Sequence, residues 1–354
     1  MKNSVKASTA HLHLDDLHRA LAALDPALDA AGHLDQLIAA GLDRLPLPGG
    51  GATLLRWQAL AAVAARDLSL AKLYEGHTDA LAIFAELGVS PERAEATPSW
   101  GVWAAEAPQG RAVIEVEPGA PNGEIRLNGA KCWCSGAASA SHALLTAWHA
   151  DGRGPQLVGL GLRQPGVRVS HSAWQAVGMA GSASLDVAFD RARARLVGQP
   201  GEYLSRPGFW QGGGGIAACW YGGTLAIAEA LRRSVVASEP AARSPFRLAA
   251  LGRVDVALHA TAALLRRSAE WIDANPRADA SAVALRVRLC AEESATLALG
   301  EVGRALGATP FCRDARFARA AADLPVFIRQ SHAERDLAAL GERISEPGAW
   351  PWQL

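Results

Sequence analysis

The stretch from Leu127 to Trp148, "LNGAKCWCSGAASASHALLTAW", concentrates residue types that could do chemistry. Cys132 and Cys134 flank Trp133, and Ser135 begins a run of small residues. Two thiols this close could hold a metal ion or form a disulfide, whereas small residues leave room for a flat group against the backbone. In a regular strand, residues two apart share a face, so both thiols are predicted to point the same way.

The rest of the chain does not support thiol chemistry. The other three of its five cysteines, Cys219, Cys290 and Cys312, lie far away and have no paired spacing. Structural zinc needs four grouped ligands, and a disulfide framework needs an even set of cysteines at regular spacings. The sequence therefore predicts no metal site, free thiols and a reducing compartment, and we expect a cytoplasmic protein.

A second stretch, "QGGGGIAACWYGG", has glycines with the spacing of a dinucleotide fingerprint at Gly212, Gly214 and Ala217. No parallel strand precedes it, and no acidic residue ends a second strand as a nicotinamide site requires. The glycines instead indicate a helix that approaches a cofactor or a substrate cavity closely. A Gly-x-Ser-x-Gly motif is absent, so a serine hydrolase has no support.

Charge and composition exclude several classes of partner. The 354 residues include 35 Lys and Arg against 35 Asp and Glu, with the basic residues scattered, so nucleic acid and membrane surfaces are not expected partners. The N-terminus reaches Asp15 and Asp16 before any continuous apolar run, which is not typical of a secretion signal. The apolar residues 212–231 are broken by glycines and carry Glu229, so they predict a buried helix and not a membrane span.

Three zones of different character must position these residues. Residues 1–98 have apolar residues at helical spacing. Residues 99–205 form short β-branched and aromatic runs divided by turns such as "PNGE", typical of an antiparallel β-domain. Residues 206–354 return to long helical patterns, ending in "LPVFIRQSHAERDLAALGERI". An α+β protein is predicted, with an N-terminal helical domain, a middle β-domain and a C-terminal four-helix bundle.

With this order of zones, "LNGAKCWCSGA" resembles the acyl-CoA dehydrogenase family, whose middle domain carries "NG-x-K-x-W-I-T-N" at the flavin. The matching residues are Asn128, Gly129, Lys131, Trp133 and Ser135. The stretch from Val177 to Ala194 is similar to the family's later "GMRGS…V-x-F" strand pair. The resemblance implies a barrel-like β-domain and FAD between it and the bundle. It also implies a homodimer or homotetramer in which a neighbouring subunit holds part of the cofactor.

The same resemblance implies roles for individual residues. Trp133 would pack on the isoalloxazine ring, and Ser135 would hydrogen-bond near its reactive nitrogen; the alternative for Trp133 is an ordinary β-domain core residue. Arg243 and Phe246 match the family's "R-x-x-F", whose Arg meets the flavin pyrophosphate across a subunit interface; the alternative is a solvated Arg at a helix start. Gly307 matches one glycine of the loop at the adenine end; the alternative is a helix C-cap.

Several positions depart from the family. Ala105 replaces a flavin-binding Thr beside the retained Glu106, and Arg304 and Ala308 replace a Gln and a Gly of the adenine loop. The usual catalytic Glu is not found, since its place falls at Gln330 and Ser331. The catalytic base is therefore not identified.

The two nearest ionisable residues are His332 and Glu334. Either could have taken the role of the base. Alternatively, Ser331 caps a helix and Glu334 completes its capping box.

Three functions follow from these matches and departures. The first is an FAD-dependent oxidoreductase acting on the CH–CH group of an acyl or acyl-like substrate, such as an acyl-CoA or acyl-carrier thioester. The second is a monooxygenase of the same fold, which uses reduced flavin and oxygen and needs no carboxylate at the base position. The third is a scaffold of this fold without activity.

Overall fold

The computed structural model describes residues 12–90, 98–106, 110–117, 123–172, 174–345 and 352. Residues 1–11 of the N-terminal segment and residues 121–122 of the predicted "PNGE" turn lie outside the described residues.

Four helices open the described chain: α1 (Leu14–Ala22), α2 (Ala30–Ala39), α3 (Thr53–Arg66) and α4 (Leu68–Glu86). Asp67 separates α3 from α4 with an extended backbone, and its carboxylate accepts a hydrogen bond from the backbone N–H of Leu70 at 2.8 Å. This cap starts α4 in a new direction. Most of α4 is buried, so it runs through the middle of the molecule.

Seven strands form the middle region: β1 (Trp100–Trp103), β2 (Ala112–Glu115), β3 (Glu124–Cys134), β4 (His142–His149), β5 (Pro155–Gly161), β6 (Val167–Ser170) and β7 (Leu185–Val197). Strand pairing runs β4-β2-β3-β7-β5 and back to β4, which closes a five-stranded barrel; β1 extends it beside β4 and β6 beside β7. The barrel-like shape is therefore as expected.

The expectation of a purely antiparallel domain is wrong at two pairings. Strands β1 and β2 both pair with β4 in parallel, while the other pairs are antiparallel. The chain reverses between β2 and β3 and again between β3 and β4, so β4 runs in the direction of β2. Closing the ring then places these two strands side by side.

Seven helices follow: α5 (Glu202–Ser205), α6 (Gly208–Val236), α7 (Pro245–Ala274), α8 (Ser281–Leu306), α9 (Thr309–Arg313), α10 (Ala315–Phe327) and α11 (Glu334–Ile344). Helices α6, α7, α8 and α10 form the bundle. The apolar stretch predicted as a buried helix lies within α6, which is largely buried.

The final predicted helix is in fact divided, because α10 ends at Phe327 and α11 starts at Glu334. The predicted capping box is also wrong. Ser331 Oγ accepts from the backbone N–H of Ala333, while Asp336, and not Glu334, accepts from the backbone N–H of His332 at 3.1 Å.

The helices on both sides of the barrel share one hydrophobic core. It runs from Leu17 and Trp57 to Trp220 and Phe327, and a separate core fills the barrel. Where α6 crosses α3, a side chain at Gly222 would place its Cβ only 2.2 Å from the carbonyl oxygen of Ala61. The two helical regions therefore pack as one body, and the barrel sits against it along α4.

Candidate functional site

A cavity of about 800 Å³ opens where the barrel meets the helices. Its walls come from α4, the end of β1, the turn after β3, the turn before β7, the start of α6, α8 and the α10–α11 junction. This volume lies in the range of pockets that hold cofactors and small substrates. A cleft of about 20 Å³ behind Ser135 has room for little more than one water molecule.

One wall of the cavity is aromatic. Trp133 has a left-handed backbone (φ 61°) at a bulge where β3 slips against β7 between Lys131 and Cys134. The bulge turns the Trp133 side chain outwards, 62% exposed, edge-on to Trp174 at 6.5 Å between ring centroids. Trp133 is therefore not a β-domain core residue; it displays a flat face in the cavity.

The same bulge corrects the prediction that both cysteines share a face. Cys134 is buried in the barrel core, and burial raises the pKa of its thiol. Cys132 is half-buried and interacts with Asp186, outside the barrel core. Within the described ranges, no three His, Cys, Asp or Glu residues are grouped to hold a metal ion.

Lys131 and Glu106, both retained from the family pattern, hold the strands that carry Trp133. The buried Lys131 Nζ donates to Glu106 Oε1 at 2.6 Å and to Thr146 Oγ1 at 2.7 Å. Burial raises the pKa of Glu106, but hydrogen bonds from Lys131, Thr146 and Trp148 outweigh it and leave the pKa lowered. Neither residue lines the cavity, so this ion pair acts on the position of β3.

Three serine hydroxyls lie beside the aromatic wall. Ser135 Oγ is 2.8 Å from Ser184 Oγ, which is 3.0 Å from Ser182 Oγ. The carbonyl of Ser135 accepts from the buried Trp103 indole at 3.0 Å, so the turn after β3 is fixed to β1. Trp133 and Ser135, which the sequence predicts as flavin ligands, are thus brought together on one wall.

The facing wall carries charge. Lys72, Glu75 and Asp79 follow one face of α4 at spacings of three and four, and all three line the cavity. Lys72 Nζ donates to Glu75 Oε2 at 3.0 Å. Beyond them, Arg206 pairs with Glu86 at 2.6 Å and lies over the ring of Tyr203.

Asp79 is the least satisfied of these groups. Its carboxylate accepts no hydrogen bond from the described part of the chain, and its nearest cation is the buried Arg56, with Arg56 Nη2 3.7 Å from Asp79 Oδ1. Burial, and then repulsion from Glu75, raise the pKa of Asp79 against the attraction of Arg56, Arg206 and Lys72. On the opposing helix, a Cβ at Gly212 would stand 3.1 Å from Asp79 Oδ1, so the glycine lets α6 approach.

The rim at the α10–α11 junction contains the predicted base positions. Gln330 and His332 line the cavity, whereas Glu334 is exposed and does not. His332 Nδ1 is 3.4 Å from Asp336 Oδ1, and its side chain is largely exposed. Arg288 of α8 donates to the carbonyls of Gly213 and Gln330, which joins the rim to the bundle.

Three predicted cofactor ligands lie elsewhere in the chain. Arg243 Nε donates to the carbonyl of Ser238, and Phe246 is 83% exposed at the start of α7. Gly307 ends α8 with a left-handed backbone (φ 66°), which is the predicted C-cap alternative. None of the three lines the cavity of its own chain. Their roles at a neighbouring subunit's flavin stay predictions.

Sequence reasoning missed the charged wall. The signal was present in "LSLAKLYEGHTDALAIF", where three charges with helical spacing interrupt an otherwise apolar helix. A buried helix that retains such a stripe faces either a polar partner or a cavity. Tyr203, Arg206 and Arg288 gave no comparable pattern, because they reach the cavity only through tertiary packing.

Comparison with protein-family models and with curated protein sequences gives no match. Solved structures match over nearly the whole chain. TdsC, a dibenzothiophene monooxygenase from Paenibacillus sp. A11-2 solved with FMN and indole, has a TM-score of 0.77 and 18% identity, covering 93% of this chain and 96% of its own.

Two further structures are equally similar. Methanesulfinate monooxygenase MsuC from Pseudomonas fluorescens has a TM-score of 0.75 and 20% identity over 93% of this chain and 95% of its own. Nitrososynthase from Micromonospora carbonacea var. africana has a TM-score of 0.76 and 18% identity over 93% of this chain and 94% of its own. Because these identities are below 25%, the likeness shows that this chain shares the fold of these solved proteins.

Proposed function

We propose that this protein is a flavin-dependent monooxygenase that uses reduced FMN and dioxygen on a small polar substrate. The observation that carries the proposal is the single cavity with two unlike walls: Trp133 and Ser135 on one side and the α4 charges on the other. Such a cavity has a flat aromatic side for a flavin ring and a polar side for a substrate.

The residues present fit a flavin. The Trp133 indole is exposed to the cavity, where the ring of Trp174 contacts it edge-on, and the Ser135 hydroxyl lies two residues further along the chain. Trp133 would cover one face of the ring and exclude water, and Ser135 would hydrogen-bond its edge. A bound reduced flavin supplies the electrons that activate dioxygen.

The position of the usual dehydrogenase base supports oxygenation over dehydrogenation. Removing a proton alpha to a thioester needs a carboxylate at a set position beside the flavin, and where the family has its Glu this chain has Gln330 and Ser331. Glu75, Asp79 and Asp336 line the cavity from other positions of the chain. The solved structures similar in fold include two monooxygenases. Both points favour the monooxygenase over oxidation of an acyl CH–CH group.

We propose FMN in place of the FAD expected from the resemblance. TdsC was solved with FMN, and in this chain the adenine-end loop has Arg304 and Ala308 where the family pattern has Gln and Gly. The substrate would place a polar group towards Glu75 and Asp79. We further propose a homo-oligomer in which Arg243 and Phe246 approach the cofactor of a neighbouring subunit.

The proposal is tested by supplying reduced FMN from a separate flavin reductase and NADH, under isotopically labelled dioxygen. An aryl sulfide, an alkyl sulfinate and an amino sugar nucleotide form the substrate panel. We expect one labelled oxygen atom in a product of at least one class. Bleaching of bound flavin by an acyl-CoA without oxygen, and no labelled product, would contradict the monooxygenase and favour the dehydrogenase.

A further inference from the structure

The three serine hydroxyls beside the cavity form a chain that ends on a fixed acceptor. Ser182 Oγ donates to the carbonyl of Met179 at 2.8 Å, and Ser182 is 1% exposed. Ser184 Oγ lies 3.0 Å from Ser182 Oγ and 2.8 Å from Ser135 Oγ. All three serines line the cavity, and the chain runs from the half-buried Ser135 and Ser184 to the buried Ser182.

Each hydroxyl has one proton, which fixes the direction of the chain. Because Ser182 gives its proton to the Met179 carbonyl, it can only accept from Ser184. Ser184 then has no proton left for Ser135, so Ser135 must donate to Ser184. This is the one arrangement that places a proton between each neighbouring pair of oxygens. In it, Ser135 presents only lone pairs to the cavity.

The terminal acceptor is held in place by the backbone. Met179 has a left-handed conformation (φ 60°), and its N–H donates to the carboxylate of Asp323 on α10 at 2.5 Å. The carbonyl of Ser182 in turn accepts from the N–H of Gly136 at 2.8 Å, which ties this turn to the turn that carries Ser135. The direction of the hydroxyl chain is thus built into the junction between barrel and bundle.

We propose that Ser184 and Ser182 are positioning residues that make Ser135 a hydrogen-bond acceptor and thereby give the site a preference for reduced flavin. The inference rests on the proposed function. The flavin nitrogen at the reactive edge carries an N–H when reduced and only a lone pair when oxidised. A hydroxyl that acts as an acceptor therefore forms a hydrogen bond with the N–H of the reduced form. With the oxidised form its lone pair faces the lone pair of the nitrogen, and no hydrogen bond forms.

If Ser135 donated its proton to oxidised flavin, the chain of serine hydroxyls would lose its hydrogen bond from Ser135 to Ser184. A neutral hydrogen bond of net strength typical of proteins corresponds to about a threefold to tenfold difference in affinity. We expect wild-type protein to bind reduced FMN tighter than oxidised FMN by at least that factor. Tighter binding of the reduced form raises the two-electron reduction potential of bound FMN, by about 30 mV for each tenfold difference between the two affinities.

Ser184→Ala breaks the chain and leaves Ser135 free either to donate to oxidised flavin or to accept from the N–H of reduced flavin. Anaerobic titration of reduced and oxidised FMN should show the ratio of the two Kd values falling towards one in Ser184→Ala, with a matching fall in potential. Ser184→Thr keeps a hydroxyl and should restore the preference. Ser139→Ala removes a neighbouring hydroxyl that donates to the Gly136 carbonyl outside this chain and should change nothing.

Equal affinity of wild type for both forms, or an unchanged ratio in Ser184→Ala, would overturn this inference while leaving the proposed function intact. Absence of binding by either form of FMN would overturn the proposed function, and this inference with it.

Discussion

At the scale of single residues, Trp133 combines backbone strain with an exposed side chain. A non-glycine residue in the left-handed region costs about 1 to 2 kcal/mol, and the largely exposed indole contributes little burial in return. Strain of this kind persists where function requires a side chain in a fixed position. The conformation is consistent with a residue retained for a ligand.

Trp133→Gly should therefore separate stability from binding. We expect the flavin-free variant to gain about 1 kcal/mol in free energy of unfolding, because glycine adopts the same backbone without strain. Its FMN affinity should fall at least about tenfold. Urea denaturation and FMN titration measure the two effects. Trp133→Ala serves as the control, with the same loss of binding and no gain in stability; a destabilised Trp133→Gly would refute the strain argument.

Asp79 gives a prediction for pH. Its pKa is raised in the folded protein, so the folded state holds the proton above the ordinary aspartate pKa. The contribution of Asp79 to the free energy of unfolding is therefore lost as pH rises from the unfolded pKa through the folded one. The charged groups facing it are Lys72 and Glu75 on α4, Arg56 on α3 and Arg206 beside α6.

The side chain of Asp79→Asn cannot ionise. The free energy of unfolding of this variant relative to wild type should therefore rise as pH increases from the unfolded to the folded pKa of Asp79, by up to about 1.4 kcal/mol for each unit by which folding raises that pKa. Chemical denaturation at a series of pH values provides the test. Glu270→Gln, which removes an exposed carboxylate 3.7 Å from Arg267, should track wild type. A pH-independent difference for Asp79→Asn would contradict the assignment.

At this scale the sequence was informative where a residue belongs to a local pattern. Trp133 and Ser135 were identified because their neighbours matched a family segment, and both line the cavity, while their role as flavin ligands stays a prediction. The left-handed turn at Trp133 could not be predicted, since strand propensity says nothing of a bulge that depends on pairing with β7. Asp79 was missed because a helical charge stripe is usually solvated, and only packing encloses this one.

At the scale of elements, the contact of α3 with α6 controls how the helical body holds its shape beside the cavity. Gly222→Ala would force its Cβ against the Ala61 carbonyl oxygen, where backbone must move to relieve the clash. We expect a loss of about 2 kcal/mol or more in free energy of unfolding.

Gly300→Ala is the matched control for Gly222→Ala. Gly300 is an exposed glycine within α8, and a Cβ there meets nothing within 4 Å. The variant should gain about 0.5 to 1 kcal/mol from helix propensity. Thermal or urea unfolding compares the two, and similar values for both variants would show that the α3–α6 approach does not limit stability.

Helices and strands were largely predictable because their apolar periodicity is local. Helices α7 and α8 lie within residues 206–354, where the sequence predicts long helices. The parallel pairs of β4 were not predictable, since they follow from closure of the barrel and not from any pattern within a strand. The break between α10 and α11 was missed because helical patterns flank residues 328–333 and no glycine or proline among those residues marks the end of a helix.

At the scale of the whole molecule, α7 has an unusual exposed face. Among the described residues, it is the one helix that is long and apolar enough to cross a membrane. Only 28% of its most apolar 18-residue stretch is buried. Phe246 and Val256 are 83% and 70% exposed. Length and composition are weak evidence for a membrane span, and we propose that this face contacts a second copy of the chain in the homo-oligomer proposed above.

Light scattering should give a mass at least twice the 37.0 kDa of one chain. Val256→Asp should shift the mass towards one chain and weaken FMN binding, because Arg243 at the start of the same helix is predicted to reach a neighbour's cofactor. Leu337→Asp on α11, another exposed apolar position, is the control and should keep the wild-type mass. A monomeric wild type would contradict the shared cofactor site.

The proposed function depends on a flavin binding against Trp133 in the cavity between barrel and bundle. Anaerobic equilibrium dialysis of reduced FMN with wild type and Trp133→Ala tests it most directly. We expect one FMN per wild-type chain and at least about tenfold weaker binding in the variant, as for loss of a stacked aromatic partner. Binding that is absent in the wild type, or equal in both proteins, would contradict the account.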